Sequence, residues 1–186
     1  MDDRRVLEEA QLLLAKGKDK ESIEAFTKAI EAGADLYISY LSRGAAHLKL
    51  KEVDEAINDF DEAIKANSQS ARAYFFRGMG YMQKYEFEKA VTDFSKALEF
   101  KTDYAMAKFS RAISYARLDK TEEASKDLMA VMPQMETNFQ SFIDSYGIVR
   151  TEMWKVMAQL SGERPWPTLE LGEKELDTLK KWLEEE

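Results

Sequence analysis

Arginine and aspartate recur on a common spacing in this chain. Arg43, Arg77 and Arg111 stand 34 residues apart, and so do Asp59, Asp93 and Asp127. A guanidinium and a carboxylate held in register form a charge-assisted, bidentate pair, so the chemistry on offer is structural pairing, within a repeating unit or between neighbours. A buried pair loses hydration, which makes register a better account of its value than stability. Residues for covalent or metal chemistry are scarce. There is one histidine, His47, and no cysteine in 186 residues. This excludes disulfides, thiolate catalysis and cysteine-based zinc sites, and leaves no nucleophilic triad or metal cluster. Gly78 and Gly80 fall inside a helical pattern rather than in a phosphate-binding loop. We expect no catalytic residues, no cofactor and no metal.

The elements that position these residues repeat with the same period. Phe26, Phe60, Phe94 and Leu128 are 34 apart; so are Ser22, Ala56, Ala90 and Ala124, and Ala29, Ala63, Ala97 and Val131. Apolar residues follow the helical spacing of three and four within each copy. Turn segments (AKGKDK, LKEVDE, KYEFEK, LDKTEE) divide each copy into two helices, expected at 3–16 and 20–32, 37–50 and 53–66, 71–84 and 87–100, and 105–118 and 121–131. A period of this length signals a helical solenoid, an architecture whose usual work is holding another molecule.

Counting each copy from Asp3, Tyr37, Ala71 and Ala105, the pattern resembles the tetratricopeptide repeat. The third copy carries Tyr74, Gly78, Tyr81, Ala90, Phe94 and Ala97 at the family's aromatic and small positions. The second carries Tyr40, Gly44, His47, Ala56, Phe60 and Ala63, and the fourth Ala112, Tyr115, Ala124, Leu128 and Val131. The first is weakest in its opening helix (Val6, Ala10, Leu13) but keeps Phe26 and Ala29. It also has Glu9 and Ala25 where the other copies have the arginine and the aspartate. His47 therefore reads as a packing residue. The proline that the family places near the end of a copy is absent; Ala34, Ser68 and Thr102 stand there, and Gly33 and Asn67 are expected to stop the helices in the left-handed conformation. The resemblance implies an all-α fold: a right-handed superhelix of four helix hairpins (3–36, 37–70, 71–104 and 105–132), followed by C-terminal capping helices.

The family's inner surface corresponds to a second stripe on each first helix. Here it reads Ile38, Leu41 and Ala45, then Arg72, Phe75 and Met79, then Met106, Phe109 and Ile113, with Lys49, Gln83 and Arg117 at the rim. Two readings stand. Neighbouring first helices bury much of the stripe, or it forms an apolar groove with a basic rim that takes a peptide or amphipathic helix. The groove is the expected site, and the expected role is an adaptor for another protein. A self-assembling homo-oligomer and a chaperone for an apolar client segment are the alternatives. A family subgroup grips acidic chaperone tails with a cage of Lys, Asn and Arg. The matching positions here hold Leu7, Gln11, Ser42, Arg72 and Phe76, or, one copy later, Leu41, Ala45, Phe76, Met106 and Ser110, so that type of carboxylate clamp is not expected.

After the repeats, apolar residues from Phe142 to Leu160 keep helical spacing, consistent with a capping helix within 133–162. Pro165, Trp166 and Pro167 mark a loop, and Leu176, Leu179, Trp182 and Leu183 mark one side of an acidic amphipathic helix within 163–186. That helix is expected to pack on the cap, or in the groove of its own chain or a neighbour's. The net charge of −8 disfavours nucleic acid and anionic membranes. No run is long and apolar enough to span a bilayer, and the start lacks a signal-peptide core, so a cytoplasmic location is expected unless a leader has been removed.

Overall fold

The computed structural model describes residues 3–131. They form α1 (Asp3–Ala15), α2 (Asp19–Glu31), α3 (Leu36–Lys49), α4 (Val53–Ala66), α5 (Ala71–Gln83), α6 (Phe87–Phe100) and α7 (Ala105–Arg117), and α8 covers 121–131. The helix limits lie within one residue of those expected from the sequence. The capping helix and the C-terminal helix expected within 133–162 and 163–186 lie outside the described residues.

Each helix is dictated locally. In α4, Ala56, Ile57, Phe60 and Ala63 recur at helical spacing and are buried, while Asp54 and Glu55 sit in the first turn and Lys65 in the last, as the helix dipole favours. The Asp35 and Ser70 side chains cap α3 and α5 by accepting from Ile38 N and Ala73 N. Tyr37 Oη lies 2.7 Å from Ser70 Oγ, joining the start of the second copy to the start of the third.

The turn inside each hairpin repeats one backbone solution. Gly17, Lys51, Tyr85 and Asp119 all have positive φ, between 57° and 71°. The amide after each one donates five residues back, as in Glu52 N to His47 O at 3.0 Å and Glu86 N to Tyr81 O at 2.9 Å, which closes a Schellman motif. Only the first copy uses glycine. At the end of the copies Gly33 is left-handed, with φ of 75°. Asn67 is not: its φ is −143°, an extended residue whose Oδ1 accepts from Gln69 N. The expected left-handed stop at Asn67 is thus replaced by an Asx turn, because the side chain supplies the reversal that the backbone would otherwise need.

Close approach within a hairpin depends on small residues facing the aromatic of the second helix. A Cβ placed on Gly44 would lie 2.7 Å from Phe60 Cε1, and one on Gly78 the same distance from Phe94 Cε1. Phe26, Phe60 and Phe94 are all fully buried, which is worth about 2–3 kcal/mol each. The core is a chain of clusters, the largest running from Phe75 to Val131. Along α1–α7, each first helix touches the next first helix, whereas α2, α4 and α6 do not touch one another. The first helices therefore form the inner, closed side of the stack and the second helices its outer, splayed side.

Between the copies runs a ladder of guanidinium groups. Arg43 donates from Nε and Nη2 to Asp59, Arg77 to Asp93, and Arg111 to Asp127, all at 2.6–2.9 Å. These pairs lie within a copy. The remaining nitrogen, Nη1, reaches back to the preceding copy: Arg43 to Thr27 Oγ1 at 2.9 Å, Arg77 to Asp61 Oδ1 at 2.6 Å and Arg111 to Ser95 Oγ at 3.0 Å. Tyr40, Tyr74 and Tyr115 stack over the three guanidinium groups at 5.4–5.8 Å. The hydrogen bonds that Arg77 donates to Asp93 hold it more firmly protonated than usual, with Asp61 adding to this. Burial pushes the Asp93 carboxyl up in spite of those bonds. A carboxylate so penalised adds little net stability while whole and leaves a large deficit when its partner is removed.

The first copy has no Arg–Asp pair of its own, joining the ladder only through Thr27 Oγ1, and its α1 exposes polar residues. Arg5, Glu8 and Glu9 are exposed there, and so is Leu12. Later copies bury Ser39, Ala73 and Ala107, and Ala46, Gly80 and Ser114, at the positions of Arg5 and Leu12.

Two predictions follow from turn and ladder, both read by chemical denaturation. Gly17→Val should lower stability by about 1–2 kcal/mol, since a β-branched residue resists positive φ, while Lys51→Gly should leave stability unchanged or raise it by up to about 1 kcal/mol. Equal effects of both would contradict the turn assignment. Asp93→Ala should cost about 3 kcal/mol, and a double-mutant cycle with Arg77→Ala should show coupling well above the additivity error of about 0.5 kcal/mol. Additive losses would mean that the pair does not act as a unit.

Candidate interaction surface

The inner stripe divides when each residue is placed. Taking the helical angle from the fourth residue of each copy (the half-buried Tyr40 and Tyr74, and Lys108), the residue after it lies about 100° away, toward the next copy. Leu41, Phe75 and Phe109 occupy that position and are buried, the two phenylalanines with only 1% exposure each. Phe75 packs on Phe94 at 5.8 Å and Tyr104 at 5.0 Å between ring centroids. Met79 and Ile113 are buried too, and the Met79 sulfur accepts from Ser110 Oγ of the next copy at 3.7 Å. These five residues, expected on a groove wall, instead belong to the core. The physical reason is the contact between successive first helices, which covers one flank of the stripe.

The remainder stays accessible. Ile38, Ala45, Gln83 and Met106 are half-buried, and Lys49, Arg72 and Arg117 are exposed. The basic rim is partly engaged: Lys49 Nζ donates to Asp19 of the first copy at 3.2 Å, and the Arg117 guanidinium lies 5.8 Å from the Phe87 ring of the third. Both are ties between copies. Arg72 lies over the Phe76 ring at 6.0 Å and makes no ion pair among the described residues.

Phe76 is the residue that the sequence reading missed as part of this face. It is half-buried and stacks on Phe60 at 5.8 Å. Its angle on α5 falls within about 60° of Arg72, Met79 and Gln83, so helical geometry could have placed it there. Ser42 takes the same position in α3 and is also half-buried.

The electrostatics of the layers differ sharply. The inner helices α3, α5 and α7 contain no aspartate or glutamate and seven lysines and arginines. The outer helices α2, α4 and α6 contain twelve carboxylates and five lysines. His47, the single histidine, is shielded between α3 and α4; its Nδ1 lies 2.6 Å from Glu52 Oε2 and its Nε2 3.9 Å from Asp59 Oδ2. Among the described residues no group of three or more His, Asp or Glu side chains is placed to hold a metal ion. No helix there is long and apolar enough to cross a membrane.

Known proteins share this fold. A tetratricopeptide repeat family model matches residues 7–71 and 41–105, just over half of the chain. A comparison with curated proteins gives no match. Among solved structures, MamA (residue 41 to the end) from Desulfovibrio magneticus RS-1 aligns with a TM-score of 0.68 and 20% identity, over 74% of this chain and 77% of that one. The first repeat domain of Spaghetti (RPAP3), bound to the HSP90 peptide SRMEEVD, aligns with a TM-score of 0.61 and 23% identity, over 63% of this chain and 93% of that one. The Arabidopsis OM64 repeat domain gives 0.59 and 21%, over 61% and 94%. With the period, the paired helices, the close glycine–phenylalanine contacts and the family match in agreement, the chain belongs to the tetratricopeptide repeat family of protein-interaction scaffolds.

Proposed function

We propose that this protein is an interaction adaptor that takes a peptide or an amphipathic helix of another protein on the inner face of α3, α5 and α7. The observation that carries this reading is the composition of that face. It combines half-exposed apolar side chains (Ile38, Ala45, Phe76, Met106) with an exposed arginine, and it has no carboxylate, in a chain whose net charge is −8. A solvated helix face in so acidic a protein would carry glutamates. Apolar side chains give contact area, and methionine adapts to more than one ligand shape.

The ligand is bound by a different means from a caged chain terminus. RPAP3 is bound to a peptide ending in an acidic tail. This chain has Leu7, Gln11, Ser42, Arg72 and Phe76 where a carboxylate cage needs lysines, asparagines and an arginine. Only Arg72 offers a cation. We therefore read the ligand as an internal or helical segment with apolar anchors and acidic flanks. The protein acts as a binding module without chemistry of its own.

Variants must spare the core. Phe75 and Phe109 are buried, so a charge there would unfold the stack and report nothing about binding. Ala45→Glu, Arg72→Glu and Met106→Glu alter the open part of the face. With a partner identified by co-purification, each should weaken its binding at least about tenfold, or 1.4 kcal/mol, by calorimetry. Thr92→Lys, on exposed α6, should not. Wild-type affinity in all three inner variants would overturn the reading.

A further inference from the structure

We propose that the occupant of the inner face is the chain's own C-terminal segment, residues 169–186 (LELGEKELDTLKKWLEEE); this rests on the reading of that face as the binding surface. Three observations converge. The first is charge. The segment holds seven carboxylates against three lysines, and it would meet helices that hold none. Elsewhere on the solenoid the same segment would face the twelve carboxylates of α2, α4 and α6. Opposite fields on two sides of one body select which side a charged segment approaches, over a screening length of about 8–10 Å.

The second observation is the pattern within the segment. Leu176, Leu179, Trp182 and Leu183 follow a spacing of three and four, so one side of a helix would be apolar and the other acidic. A helix this short needs a surface to be stable. The inner face supplies the complement: Phe76 and Met106 as apolar contacts, and Arg72, which lacks an ion-pair partner among the described residues, as the cation.

The third observation is reach. Thirty-seven residues, 132–168, separate the last described helix from the segment. Even fully helical they would extend about 55 Å at 1.5 Å per residue. Four first helices packed about 8–10 Å apart span roughly 30–40 Å. A tether of this length gives an effective concentration on the order of millimolar, so the chain's own segment is favoured over a second copy's. An external ligand would then have to displace it.

The absence of cysteine makes the test direct. Full-length protein carrying Leu183→Cys together with Ala45→Cys or Met106→Cys is treated with a short bismaleimide at low protein concentration. The expected result is a monomeric product in which residue 183 is joined to residue 45 or 106. Leu183→Cys with Asn58→Cys, exposed on α4, should give none. Adding Arg72→Glu should reduce the yield several-fold while the helical circular dichroism stays at the wild-type value. A yield no higher than that of the Asn58 pair overturns the proposal, as does a product found only as a dimer or one indifferent to Arg72→Glu. If the cross-link fails while inner-face variants still weaken partner binding, the binding face stands and its occupant is external.

Discussion

In every copy after the first, one guanidinium binds three helices together. Arg77 joins α5 to α6 through Asp93 and to the preceding α4 through Asp61. Apolar packing in a solenoid is only between neighbours, and aliphatic surfaces tolerate sliding. A bidentate ion pair does not, because its donors have fixed directions. The pair fixes each guanidinium within its own copy, and the one Nη1 bond left aimed at the preceding copy sets how each hairpin sits on the last. The contact across the copy boundary differs along the stack: a hydroxyl at Thr27 and Ser95, a carboxylate at Asp61. The same position in the fourth copy is Met129, 48% exposed, so the ladder ends there.

This device has a consequence for charge. The aspartates that answer the arginines come from the outer helices. Among the first helices, α3, α5 and α7 contribute the cations and no acid, whereas α1 carries Asp3, Glu8 and Glu9. Segregation of charge between the layers therefore begins as a feature of assembly. Arg72 extends it to a residue that lies over the Phe76 ring and has no ion-pair partner among those described. The proposed binding face is what remains after folding has used Gly78, Tyr81, Phe94 and the ladder in the core and between copies.

Much of this was legible in the chain because 34-residue identity aligns equivalent environments. The pairs of Arg43 with Asp59 and of Arg77 with Asp93 were visible as equal spacings. The second tie of each arginine was less visible, since Thr27, Asp61 and Ser95 share size and polarity but not identity. The left-handed turn was hidden for a similar reason: Gly17, Lys51, Tyr85 and Asp119 have one backbone geometry and four chemistries. Asn67 suggested a left-handed residue that its own side chain made unnecessary. The inner stripe was drawn too wide. Angles on one helix cannot show where the next copy lies, and that neighbour covers Leu41 and Phe75.

The central claim is that ligands meet the inner layer and leave the outer layer bare. A photo-reactive benzoylphenylalanine placed singly at positions 45, 106, 58 and 92 tests it in the cell. Positions 45 and 106 lie on α3 and α7, and 58 and 92 on α4 and α6. The account predicts covalent adducts from 45 and 106, whether to a partner or to the chain's own C-terminal segment, and none from 58 and 92. Adducts from 58 and 92 with none from 45 and 106 would contradict it.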